Sequence, residues 1–192
     1  MPPPFALVYA DRCLIVVSKP AGLLAVPGRG ADKADCLSLR VQQLYPDALI
    51  VHRLDQATSG LMVLARGPAM QRALGHQFET RQVKKEYVAL VHGLLSLDAG
   101  SIALPIMADW PARPRQKVDW LLGKTALTHY RVLARNEQQQ TTRLALEPVT
   151  GRTHQLRVHL NAEGHTIVGD ALYGATGPAQ RLYLHARRLV LH

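Results

Sequence analysis

Cysteine is nearly absent from this chain. The two residues present, Cys13 and Cys36, have no paired C-x-x-C spacing, so no disulfide framework or cysteine zinc site is expected. Cys13 abuts the apolar run Leu14-Ile15-Val16-Val17, and both cysteines read as reduced core thiols. Long hydrophobic runs are missing as well. The amino-terminal Met1-Pro2-Pro3-Pro4-Phe5 has no basic leader, and Asp11 and Arg12 interrupt the apolar stretch before signal or membrane-spanning length is reached. The expected location is cytoplasmic, with no membrane partner. Acidic residues are scarce: 14 Asp plus Glu stand against 23 Lys plus Arg, a formal charge of +9 over 192 residues. Such an excess fits a polyanionic partner, or simply a soluble basic surface. The basic groups at Arg81, Lys84 and Lys85, at Arg113, Arg115 and Lys117, and at Arg187 and Arg188 lie between apolar, foldable stretches, which favours a charged face over a disordered tail.

No internal repeat, low-complexity tract or long linker divides the chain, and 47% hydrophobic content fills one sizeable core. One domain over residues 1–192 is expected. Strands are expected over 6–9 and 13–17, joined by a turn at Asp11-Arg12, then over 61–65, 86–92, 101–104, 127–134 and 141–147. Helical spacing of Leu37, Val41 and Leu44 follows Asp35, a candidate N-cap, and ends before Pro46. A second helix is expected over 69–80, and a third over 154–163 with Thr153 as its cap and Gly164 as its stop. Strands outnumber helices without regular alternation, which argues for α+β rather than a doubly wound parallel fold.

Asp55 sits in His52-Arg53-Leu54-Asp55-Gln56-Ala57-Thr58-Ser59-Gly60. An Asp before a Thr-Ser-Gly turn fits two roles: a cap that closes the turn through its side chain, or a carboxylate held charged by backbone donors and a nearby cation. Five further segments bear on the choice. Together with Lys19-Pro20-Ala21-Gly22 and Pro148-Val149-Thr150-Gly151-Arg152-Thr153-His154-Gln155-Leu156-Arg157-Val158-His159, the Asp55 segment resembles, in order and separation, the motif set of the RluA family of pseudouridine synthases. Lys85-Glu86-Tyr87 and the stretch from Gly164-His165 through Gly169-Asp170 to Tyr173-Gly174 resemble further family segments. Asp109-Trp110-Pro111-Ala112-Arg113-Pro114-Arg115-Gln116-Lys117 resembles the subgroup that shares the family's name, which acts on tRNA and on large-subunit (23S) rRNA. The likeness spans almost the whole chain.

The resemblance implies an RNA uridine isomerase on the pseudouridine synthase fold: a mixed, mainly antiparallel β-sheet with flanking helices and a central RNA-binding cleft. It assigns the chemistry to Asp55, pairs Arg157 with it to keep it charged and aimed, and offers Tyr87 as an aromatic face for the flipped base. RNA contacts are implied at Lys19, Arg152, His154, Arg113, Arg115 and Lys117, and at Arg53, which can bind phosphate or fill the space the base vacates. For three of these residues a plainer role competes: core packing for Tyr87, a solvent-facing helix position for Arg157, a structural salt bridge for Arg53. The partner implied is tRNA, rRNA or both, with no cofactor, no metal, and a monomer as the simplest state. Relatives run on past the segment resembling Leu184-His185-Ala186 to Leu191-His192 into another strand, which leaves open whether the closing sheet edge is complete here or short of the family's last strand. No separate amino-terminal RNA-binding domain is expected either.

Isomerisation moves the ribose from uracil N1 to C5 with no atom entering or leaving, and one carboxylate can serve either as nucleophile or as base toward a ribose proton. A metal site at His154 and His159 is disfavoured because i to i+5 spacing does not place two ligands on one helical face. His52 reads as a structural hydrogen-bonding residue rather than a general base. An aspartic peptidase or a glycoside hydrolase needs a second carboxylate in a comparable motif, and none is present. The competing class is a non-catalytic basic RNA-binding protein, which the charge alone would satisfy.

Overall fold

The computed structural model describes residues 5–28, 30, 34–174 and 179–192; Met1 to Pro4, part of the amino terminus read above, lie outside them. The chain divides into two compact units, residues up to Lys84 with His185–His192, and Lys85–Leu184. Strands predominate and are mostly antiparallel, with three α-helices among the described residues, as the α+β expectation required.

In the first unit β1 (Ala6–Ala10) and β2 (Leu14–Lys19) form the expected hairpin. Asp11 closes it by accepting the N–H groups of Cys13 and Leu14 at 2.7 and 2.8 Å. β2 pairs along its length with β4 (Ser59–Arg66), from Leu14 opposite Ala65 to Lys19 opposite Gly60. The other edge of β4 is shared. β3 (Ala48–Ile50) runs antiparallel to its far end, and β11 (Leu184–Val190) runs parallel to its beginning. Gly60 makes that parallel pair possible: its φ is +117°, and a Cβ there would lie 2.2 Å from the Ala186 carbonyl oxygen. Helix α2 (Gly67–Glu79), with Pro68 in its first turn, lays Leu74, Met70 and Phe78 on Val63 and Ala65 of β4.

Helix α1 (Leu37–Gln42) is shorter than its spacing predicts, and Asp35 does not cap it. The first free N–H groups, of Leu37 and Ser38, are already taken by the carbonyls of Leu24 and Ala25 at 2.8 and 3.1 Å. Asp35 instead binds Arg40 Nε at 2.7 Å. The N–H groups of both Leu44 and Tyr45 turn back to the Val41 carbonyl, so the helix stops at Gln42 and Leu44 faces solvent.

The second unit carries an antiparallel sheet in the order β5 (Lys84–His92), β10 (Thr141–Pro148), β9 (Thr128–Asn136), β6 (Ala99–Ile102). A small hairpin, β7 (Ile106–Ala108) and β8 (Gln116–Val118), stands apart from that sheet. Helix α3 (Gln155–Ala162) sets Val158 against Ile106 and Ala126. Thr153 does not cap α3. His154 holds the cap position in the left-handed region, φ +54°, without a side-chain cap bond. The entry turn is satisfied by Gln155, whose side-chain oxygen accepts the Arg152 N–H at 3.0 Å and the Thr150 hydroxyl at 2.7 Å.

Candidate active site

Asp55 heads the turn that feeds β4. Its main-chain carbonyl accepts the Thr58 N–H at 3.1 Å, so the turn is closed through the backbone. Leu54 behind it and Thr58 and Ser59 after it are buried, and Asp55 itself is half-buried. Arg53 is exposed. His52 turns inward: its Nε2 accepts the Val63 N–H at 3.0 Å and its ring stacks on Phe78 at 4.5 Å. The lone pair needed of a general base is thereby committed, and the remaining proton sits on Nδ1.

Lys19 was expected on the RNA-contacting surface and is instead fully enclosed, with 0% of its area exposed. Its ammonium donates to the carbonyls of Pro20, Leu23 and Gln56 at 2.9, 2.7 and 3.0 Å, using all three N–H bonds. The Gln56 carbonyl also accepts the Gly22 N–H at 2.9 Å, and the Gln56 side chain donates to the Gly22 carbonyl at 3.0 Å. The Lys-Pro-Ala-Gly loop is thus bolted to the residue after Asp55. Burial lowers the Lys19 pKa from 10.5 to about 8, against which the Asp55 charge pulls it upward. At neutral pH a buried positive charge therefore lies within the field of Asp55.

In the second unit Tyr87 is half-buried on β5, opposite Leu146 of β10. Arg157 is buried on α3. It grips Asp170 with Nε to Oδ2 at 2.8 Å and Nη2 to Oδ1 at 2.6 Å, and both side chains are almost inaccessible. Asp170 Oδ1 also accepts the N–H groups of Leu172 and Tyr173 at 3.0 and 3.2 Å, so the carboxylate that holds the guanidinium is itself fixed by backbone. The solvent-facing alternative for Arg157 is therefore excluded.

Tyr173 gathers several expected residues around one ring. Its hydroxyl accepts the Gln116 N–H at 2.7 Å and lies 2.8 Å from His154 Nδ1. The guanidinium carbons of Arg115 and Arg157 stand 5.4 and 5.1 Å from its centroid. Arg113, Arg115 and Lys117 are exposed on the β7–β8 hairpin, Arg113 lying over the Trp110 ring at 3.3 Å. Arg152 is half-buried, its Nε donating to the Thr125 carbonyl at 3.2 Å. His159, the other histidine of the rejected metal pair, is enclosed: Nε2 meets the Leu104 carbonyl at 3.0 Å and Nδ1 the Thr128 hydroxyl at 3.0 Å. A carbonyl only accepts, so Nε2 carries a proton; burial lowers the pKa of the ring from 6.5, which keeps it neutral at neutral pH.

Sequence reasoning passed over Asp170, Gln56 and Tyr173 as working parts. Asp170 lay within a segment matched only by resemblance, and no local spacing ties it to Arg157.

The family model described as RNA pseudouridylate synthase matches residues 13–162. The dual-specificity RNA pseudouridine synthase RluA of Yersinia pestis is 48% identical over 188 residues, which cover 96% of this chain and 91% of that relative. The protein of the same name from Escherichia coli strain K12 is 47% identical over 192 residues, 98% of this chain and 87% of its own. Among solved structures, human RNA Pseudouridylate Synthase Domain Containing 1 superposes with a TM-score of 0.83 at 30% identity, over 97% of this chain and 78% of that one.

Proposed function

Because the chain belongs to the RNA pseudouridylate synthase family, we propose that Asp55 is the carboxylate with which it isomerises uridine to pseudouridine in tRNA anticodon stem-loops and in 23S rRNA. The observation that carries this reading is the setting of Asp55: a half-buried carboxylate on a backbone-closed turn, beside a buried ammonium that clamps the same turn. A turn cap needs no such neighbour.

The reaction breaks the bond from uracil N1 to ribose C1′ and forms one from C5 to C1′. The C5 proton leaves and N1 gains one, so atoms and electrons balance without an external reagent. The target uridine must leave the stack to react, and Tyr87 supplies the face on which its base rests. Stacking of this kind is worth about 1 to 3 kcal/mol per base. Arg157 steadies the carboxylate charge, and its plane is set by the grip of Asp170. Arg53, Arg152, His154, Arg113, Arg115 and Lys117 contact the RNA, where phosphate contacts position the substrate. Residues 1–192 act as one catalytic domain, in the cytoplasm and as a monomer.

The test is Asp55→Asn, assayed by single-turnover pseudouridine formation and by RNA binding. Product should vanish while affinity stays nearly intact. Unchanged product formation would overturn the assignment, and absence of product from the unaltered protein on every RNA would favour the pure binder. Supplying tRNA and 23S rRNA transcripts separately decides the substrate; an unmodified tRNA refutes the anticodon-loop part alone.

A further inference from the structure

Trp120, Leu121 and Leu122 follow β8 and are 75%, 89% and 69% exposed. They are not on a loose loop. Asp119 organises the turn, its Oδ1 accepting the N–H groups of Leu121 and Leu122 at 3.1 and 2.9 Å and its carbonyl accepting the Gly123 N–H at 3.0 Å. The Asp119 N–H is itself anchored on the Pro105 carbonyl at 3.0 Å. A Cβ at residue 123 would lie 2.2 Å from the Asp119 carbonyl oxygen, so the turn closes only around glycine. Three large apolar side chains are therefore presented to water on a fixed support. Contiguous exposed apolar groups of this kind mark a contact surface.

The surroundings say what the contact is. In the loop that joins β7 to β8, Trp110 is 62% exposed with the Arg113 guanidinium over its ring. Arg115, Lys117 and Lys124 are exposed along the same hairpin. Lys117 Nζ lies 3.6 Å from Asp119 Oδ2, at the root of the apolar knob. Aromatic and apolar faces interleaved with cations are how proteins hold single-stranded nucleic acid, stacking bases while neutralising the backbone. A protein-contact core is instead depleted of charge.

We propose that Trp120, flanked by Leu121 and Leu122, is a stacking platform for an unpaired base of the RNA substrate other than the uridine being isomerised. The proposal rests on the reading of the chain as an RNA-modifying enzyme. A base leaving its own stack in the RNA gains a new partner on the indole face, while the leucines exclude water at the rim.

Trp120 can report on itself. The chain has two tryptophans, so in a Trp110→Phe background Trp120 is the sole indole emitter. Adding an anticodon stem-loop RNA should quench that emission. Trp120→Ala should raise Kd and KM about 5- to 150-fold, the range equivalent to losing one stacked base. The effect should fall on KM rather than kcat, and Trp120→Phe should recover most of it. Unchanged emission together with unchanged KM would overturn the proposal. So would concentration-dependent self-association that Trp120→Ala abolishes without altering RNA affinity, which would make the knob a protein contact. If Trp120→Ala fails to fold, the titration in the Trp110→Phe background still decides. RNA quenching by a protein that forms no pseudouridine would sink the enzyme reading and leave the platform standing.

Discussion

Lys19 sets stability and activity against each other along the pH axis. The unfolded lysine holds its proton to 10.5, whereas the enclosed one releases it near 8. Between those values the unfolded state binds more protons, so folding stability must rise with pH. At about 1.4 kcal/mol per pH unit, the span from 8 to 10.5 corresponds to about 3.5 kcal/mol, absent below pH 8 and fully gained above 10.5. The gain is the release of a desolvated charge. Activity should move the other way, because the positive charge in the field of Asp55 disappears as the protein becomes more stable. The comparison is urea unfolding of the unaltered protein and of Lys19→Met at steps from about pH 7 to about pH 10, with single-turnover rates at the same steps. Subtracting the variant removes tyrosine and surface-lysine titrations common to both. The difference in unfolding free energy should climb with pH while the rate of the unaltered protein falls. A flat or falling difference would refute a buried protonated Lys19.

Two other perturbations bear on the second unit. Asp170→Asn removes the carboxylate that grips the buried Arg157 guanidinium and should cost about 3 to 5 kcal/mol by urea denaturation; adding Arg157→Met to Asp170→Asn should recover part of that stability yet leave the protein inactive in the pseudouridine assay. His159 is neutral and enclosed with its pKa lowered from 6.5, so the unfolded state takes up the proton first as pH falls. Stability should therefore decline as pH drops through about 6.5, and the His159→Gln protein should lack that component in matched unfolding curves.

The sequence alone determined those features that arise from near neighbours. Apolar, β-branched runs bounded by turn signals marked β2, β4, β5, β9 and β10, and helical spacing marked α2, because both signals arise between near neighbours along the chain. The motif strings placed Asp55 and the family, since identity along the chain needs no geometry. β3, β7 and β8 escaped notice: three residues each are too few to show a period. β11 was matched as a segment but not read as a strand, because its parallel partner Ser59–Gly60 lies more than a hundred positions away. The tertiary structure alone decided what the charged residues do. Lys19 looks like any basic residue before a proline until the Pro20, Leu23 and Gln56 carbonyls converge on it. Arg157 and Asp170 stand 13 positions apart, and only folding puts their forks face to face. The same holds for Trp120: hydropathy sends an indole and two leucines inward, and the turn built on Asp119 and Gly123 holds them out in water. A pattern along the chain records what a residue prefers, while the desolvation and pairing that fix its role depend on groups brought together from elsewhere.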